Sequence, residues 1–231
     1  MRIAILGDIH GNHLALEAVL CSAMREGVDR LLVTGDLVGY YPFVKEVLEL
    51  LEPWDTQIVK GNHEVMLQDA LVDSIYLEQV TRKYGSSIKI AIAQIPMAQL
   101  EDLINLPQIV ELDVNGMSLI LCHGSPAKID EYIYPDTDLS KLSWLNDITS
   151  ELIICGHTHY PMLREWNGVK ILNPGSVGQS RNGISKAHWV LFDVKDRSFR
   201  FMVEDYNINP ILDAVKDIDP ENLYLQKVLT R

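Results

Sequence analysis

RIAILGDIHGNH, residues 2–13, decides how the rest of the chain is read. Residues 2–7 form a short apolar run of the kind a buried strand makes, ending in Gly-Asp. Asp8 and His10 follow two residues apart, a spacing that lets both side chains project to one face. A helical pattern then runs over 13–25, with Leu14, Ala15, Ala18, Val19 and Met24 on its apolar side. A strand that runs out into polar side chains before a helix is the unit of an open α/β sheet. Such sheets place ligands beyond the carboxyl ends of their strands.

Working outward, the unit repeats. Residues 30–34 read as a second buried strand, 42–51 as a helix opening with Pro42, 56–60 as a third strand and 64–84 as helical. This alternation predicts parallel strands joined by right-handed crossovers. Residues 86–106 stay helical in pattern, with a break at Pro96. The texture then changes. Residues 109–114 and 117–122 flank Asn115-Gly116, a strong hairpin signal. Strands at 152–155, 162–166 and 169–172 follow, with another Asn-Gly turn at 167–168, and 187–194 with 198–203 make a last hairpin. No linker or internal repeat divides the chain, so one domain over 1–231 is expected, with a peripheral helical tail from about 210.

Apolar residues make up 47% of the chain, enough for an extensive core. No apolar run approaches the ~18 residues of a membrane span, and the leading one stops at Asp8, so a soluble, cytoplasmic protein with no membrane partner is expected. The three cysteines are an odd number and form no disulfide framework. Cys122 and Cys155 read as small buried hydrophobes, although Cys155 shares strand parity with His157. The net charge of −12 opposes general nucleic-acid binding, which depends on Lys and Arg neutralising phosphates. Nothing in the sequence fixes the oligomeric state.

Five short segments stand out, GDIHGNH (7–13), GD (35–36), GNHE (61–64), HG (123–124) and GHTH (156–159), and four of them hold six of the seven histidines. Each lies where an apolar run ends. Asp8, Asp36, the amide oxygen of Asn62, and His10, His123, His157 and His159 make a ligand set for two divalent cations. Oxygen and nitrogen donors without thiolate suit Mn, Fe or Zn. Asn62 also reads as a helix N-cap ahead of Glu64, and His63 as a helix-start histidine. Asn12 reads equally as a donor to a phosphate oxygen or as a cap, and Arg181 as a bidentate phosphate clamp or a solvated loop residue. His13 and His188 read as structural or surface residues.

The order of these segments, together with GDLVGYYP (35–42), LCHGSP (121–126) and NPGSVGQSR (173–181), resembles the calcineurin-like metallophosphoesterases, in particular their compact prokaryotic single-domain phosphodiesterases. The likeness runs from residue 1 to about 201. It implies an α/β fold, a four-layer α-β-β-α sandwich with two facing mixed sheets. It implies one metal at Asp8, His10, Asp36 and His159, a second at Asp36, Asn62, His123 and His157, and a carboxylate at Asp36 that bridges them with its two oxygens. His63 would be the general acid, and Mn the first choice of metal. Two such ions about 3.5–4 Å apart clamp the attacking and leaving oxygens of an in-line displacement and bring a bound water's pKa to ~7. The reaction implied is hydrolysis of a small or nucleotide-type phosphate ester, a diester first, by a hydroxide between the metals. Dinucleoside polyphosphates or monoesters are the alternative substrates, and a catalytically silent metal-binding scaffold is the alternative of another class. One departure stands out. The protein-phosphatase branch has GDxxDRG, whose second Asp orients the histidine, and this chain has Gly39 there, which leaves the orientation of His63 open. Tyr40, Tyr41, Phe43, Tyr132, Tyr134 and Trp144, between the motifs, either stack on a base or aryl ester or fill gaps. Residues 127–150 are the candidate rim or lid.

Overall fold

A computed structural model describes residues 1–183 and 185–230. Its elements run β1 (Arg2–Leu6), α1 (His13–Glu26), β2 (Arg30–Val33), α2 (Val44–Leu51), β3 (Thr56–Ile58), α3 (Asn62–Val72), α4 (Ser74–Tyr84), α5 (Ser87–Gln94) and α6 (Met97–Ile104). The strand-rich part follows, with β4 (Ile109–Val114), β5 (Met117–Cys122), β6 (Leu152–Ile154), β7 (Met162–Trp166), β8 (Val169–Asn173), β9 (Ala187–Asp193) and β10 (Ser198–Glu204). Two helices, α7 (Asn209–Ile218) and α8 (Leu223–Val228), close the chain.

Two mixed five-stranded sheets result, ordered β10-β9-β1-β2-β3 and β4-β5-β6-β8-β7. β1, β2 and β3 are parallel, as the strand-helix alternation predicts, and β9 joins β1 antiparallel. Alternation along β1 sorts its side chains between two cores. Ile3 and Ile5 meet Leu119, Leu121, Ile154 and Leu172 of the second sheet, while Ala4 and Leu6 face Leu16 and Val19 of α1. The outer face of the second sheet is covered by residues 124–150, which carry only two short 3-10 turns and bury Ile133, Leu139 and Leu145 on Ile120, Ile153 and Ile171. Cys122 and Cys155 lie in that outer core. Since β6 stops at Ile154, strand parity does not relate Cys155 to His157.

Two expectations need correction. Residues 64–84 are two helices, because Asp73 is extended (φ −131°, ψ 104°) and its carboxylate caps α4 by accepting from the N–H groups of Ile75 and Tyr76. The tail is not peripheral. Ile211, Val215 and Leu225 pack on Tyr40 and Tyr41, and Asp219 accepts bonds from the backbone N–H and hydroxyl of Ser86. Its last residue, Arg231, lies outside the described residues.

Candidate metal centre

The loops after β1, β2, β3, β5 and β6 converge at one end of the facing sheets. They arrive by sharp turns rather than by running the strands on. Asp8, His10, Asp36, His157 and His159 all have left-handed φ, between 52° and 66°. A non-glycine residue held there costs roughly 1–3 kcal/mol, a pattern found where function over-rides local preference. Two residues apart and both left-handed, Asp8 and His10 come to one side around buried Ile9, and His157 and His159 do the same around Thr158. Hydrogen bonds tie the loops together. His10 N–H donates to the Asp36 carbonyl (2.9 Å), His157 N–H to the Asp8 carboxylate (3.1 Å) and the Ser176 hydroxyl to the Asp8 carbonyl (2.7 Å). The Asn173 amide donates to the Gly156 carbonyl (2.6 Å). The NPGSVGQSR segment is therefore a brace under two metal loops.

The donors gather in two halves. In one, His159 Nε2 lies 3.3 Å from Asp8 Oδ1 and 3.1 Å from His10 Nε2, and His10 Nε2 lies 3.6 Å from Asp36 Oδ2. In the other, His123 Nε2 lies 3.4 Å from Asp36 Oδ2, 2.9 Å from Asn62 Oδ1 and 3.2 Å from His157 Nδ1. Imidazoles aim inward because their far nitrogens are engaged. Nδ1 of His10, His123 and His159 donates to the carbonyls of Val38, Thr34 and Gln179. Asn62 is the first residue of α3, whose cap is Gly61, so its side chain is free for the site. Asp36 serves both halves through one oxygen rather than two, since Oδ1 accepts the backbone N–H of His63 (2.8 Å).

Charge makes the same point. Asp8 and Asp36 are fully buried, and their ion-pair partners among the described residues are histidines alone. Two buried carboxylates without Lys or Arg require a compensating cation. Burial pushes both carboxyls up, but facing imidazoles outweigh it and hold them below the usual carboxylate range. His123 takes part of the opposite charge. Burial lowers it, yet Asp36 and Asp8 raise it to about 9. Burial depresses His10 strongly and takes His157 to about 4, leaving both as neutral donors. Converging nitrogen and oxygen donors, with the tautomers of His10, His123 and His159 fixed by backbone carbonyls, fit divalent cations.

The calcineurin-like phosphoesterase superfamily domain matches residues 1–197. The chain belongs to that family. It is similar to an uncharacterized protein of Methanocaldococcus jannaschii, 31% identical across 92% of this chain and 91% of that one. Among solved structures, a metallophosphoesterase from Sphaerobacter thermophilus is 28% identical with a TM-score of 0.82, covering 100% of this chain and 98% of that chain. A hypothetical protein from Pyrococcus horikoshii shares the fold with a TM-score of 0.87 at 21% identity, covering 99% and 97%. The protein is a hydrolase of phosphate esters.

Around the donors, this metallophosphoesterase has a cavity of about 40 Å³, enough for about three waters, lined by Asp36, Asn62, His157 and His159 together with Tyr40, His63, Tyr84, Tyr132 and Arg181. His63 Nε2 is 4.0 Å from Asp36 Oδ2. Its ring packs against His10, Tyr40 and Tyr84 at 4.8–5.3 Å, and its buried Nδ1 has no hydrogen-bond partner among the described residues. Gly39 makes this packing possible, because its φ is +93° and a Cβ there would sit 2.1 Å from His63 Nδ1. Arg181 Nη2 donates to the Tyr40 hydroxyl (3.1 Å), while its buried Nε has no partner.

Asn12 is the correction at the site. Its amide donates to the Gly178 carbonyl and the Tyr206 hydroxyl, and its oxygen caps α1 by accepting from Ala15, so no donor remains for substrate. Of the aromatic residues expected near the motifs, Tyr40 and Tyr132 line the cavity. Tyr41 is buried beneath α7 and α8, and Trp144 donates to Glu131. Two residues have places at the site that the motif reading did not assign. Tyr84, at the end of α4, carries no motif. Glu64 was visible in GNHE, where Gly61-x-x-Glu64 has the spacing of a capping box. Its carboxylate accepts four backbone N–H groups, from Asp36, Leu37, Val38 and Gly61, at 2.8–3.1 Å, and so fastens the Asp36 loop to α3.

Proposed function

We propose that the protein is a dinuclear metal-dependent phosphoesterase that hydrolyses a small or nucleotide-type phosphate ester, a diester in preference, with Mn²⁺ as the working ion. One observation carries this reading: two sets of buried donors share the single oxygen Asp36 Oδ2, with His63 and Arg181 on the same cavity. Asp8, His10, Asp36 and His159 would hold one ion, and Asp36, Asn62, His123 and His157 the other. Bound there, divalent ions supply positive charge for the phosphoryl oxygens and acidify a water for attack.

The protein does the rest by position and charge, which is most of what phosphoryl transfer asks. Arg181 has its Nη2 engaged by Tyr40 and Gln179 and offers its unpartnered Nε–H, with the guanidinium charge, to a non-bridging oxygen. Nε2 of His63 carries the proton that the departing oxygen takes up. Burial lowers the His63 pKa while nearby Asp36 raises it, so a proton on the ring depends on charge in the cavity. Neutral His10 and His157 keep their lone pairs for the ions at ordinary pH. The test is reconstitution. Chelator-stripped protein should regain bis-p-nitrophenyl phosphate hydrolysis on adding Mn²⁺, and failure with every divalent ion would overturn the assignment. A parallel panel of monoesters, diesters and dinucleoside polyphosphates decides the substrate order.

A further inference from the structure

On the phosphoesterase reading above, the 40 Å³ cavity takes the phosphoryl group and the rest of the ester lies across its rim. That rim includes an unusual piece of chain. Residues 131–134 carry no regular structure, and exposure alternates along them: Tyr132 is 51% exposed, Ile133 1% and Tyr134 36%. Ile133 is locked into the outer core with Ile120 and Ile153, so its neighbours are turned the other way, both to one side. The segment is fixed at several points. Ser125 Oγ accepts from the N–H groups of Ala127 and Lys128, Trp144 Nε1 donates to Glu131, and Tyr134 N–H donates to the Thr137 hydroxyl.

The two exposed rings are within 6° of parallel, with centroids 5.7 Å apart. Tyr132 rests on His157 at 4.1 Å, and Tyr160 meets the edge of Tyr134 at 5.8 Å. An aromatic strip therefore runs from a metal ligand outward to solvent. Large apolar rings left open on an anchored loop at a site's mouth are poor filler and good stacking surface, since little ordering remains to be lost on binding. We infer that Tyr132 and Tyr134 seat a planar aromatic group of the ester, a nucleobase or an aryl ring, beside the phosphoryl group. Arg181, on the same cavity as Tyr132, takes the charged end, and the tyrosines take the flat one.

Calorimetric titration of Mn²⁺-loaded protein tests this with matched pairs of ligands. Adenosine 5′-monophosphate is compared with ribose 5-phosphate, and phenylphosphonate with methylphosphonate. Stacking on an aromatic side chain should favour a ring-bearing member by about ten-fold or more. Tyr134→Ala should remove most of that advantage, and Tyr134→Phe should keep it. An advantage in the first pair assigns the seat to a nucleobase, and in the second pair alone to an aryl ester. Equal affinities within both pairs, no measurable binding of the ring-bearing ligands, or an advantage that survives Tyr134→Ala would overturn the seat. Turnover of bis-p-nitrophenyl phosphate in the same preparations reports separately on the phosphoesterase reading, so active protein with no ring preference defeats the seat alone.

Discussion

Asp36 has two oxygens and three claims on them. Oδ1 holds the N–H of His63 and so sets where that residue, the proposed acid, stands, while Oδ2 faces His10 and His123 in the two halves. Asp36→Asn keeps the shape and removes the charge, and puts either a neutral oxygen or an N–H₂ group where both halves need an anion. We expect kcat to fall by about a thousand-fold or more, equivalent to several kcal/mol of lost stabilisation, and metal content measured by elemental analysis to drop in step. Turnover close to wild type would remove Asp36 from its shared place. His63→Ala should behave differently. A general acid is worth about 10²–10⁴-fold, and only where the departing oxygen needs a proton. Alkyl esters should therefore slow by about a hundred-fold or more, and p-nitrophenyl esters by less than about ten-fold. Steady-state rates across leaving groups check this, and equal slowing would assign His63 to structure.

Six left-handed non-glycine residues in three loops, Tyr40 included, are held by what surrounds them, and at the Asp36 loop the fastening is Glu64. Its Oε2 accepts from Asp36 and Gly61, and its Oε1 from Leu37 and Val38. Glu64→Gln leaves one acceptor oxygen and turns an amide N–H₂ toward two backbone donors. Two buried N–H groups without partners cost about 2–4 kcal/mol together, to be read as a lower urea midpoint of metal-free protein, with weaker Mn²⁺ binding as the Asp36 loop shifts. An unchanged midpoint would mean that the loop holds itself. The same elements show what a sequence discloses. Strands and hairpins were legible because apolar period and Asn-Gly turns act locally. Most of the side chains that gather in the candidate metal centre were legible because oxygen and nitrogen ligands are spelled by side chains. The carbonyls of Thr34, Val38 and Gln179 that fix the imidazoles were not, since every residue carries a carbonyl. The break at Asp73 hid inside an otherwise helical period, and Tyr84 reaches the site only through the packing of α4. Asn12 looked like a substrate donor because its two acceptors, Gly178 and Tyr206, lie 166 and 194 residues away.

At the scale of the whole molecule, folding, protons and metal are linked. Folding buries the carboxyl groups of Asp8, Asp36 and Glu64 in a chain of net charge −12 and, without metal, a proton on His123 offsets part of the charge on the two aspartates. The His123 pKa is raised to about 9 from 6.5, so this proton stabilises the metal-free fold fully below about pH 6.5. That contribution fades as pH rises through 9. A cation in the second half needs the same nitrogen lone pair, because His123 Nε2 faces Asp36 and Asn62, and must displace the proton. The metal-free fold thus weakens with rising pH over the range in which metal affinity climbs. For each proton displaced, affinity changes by about ten-fold per pH unit below 9. Saturating Mn²⁺ should accordingly raise Tm more at pH 8 than at pH 6, and titration in weak buffer near neutrality should release protons as metal binds. His123→Ala should flatten the difference, since His10 and His157, already depressed by burial, have no proton to give up there. A Tm gain equal at the two pH values in wild type would mean that Mn²⁺ is held without His123.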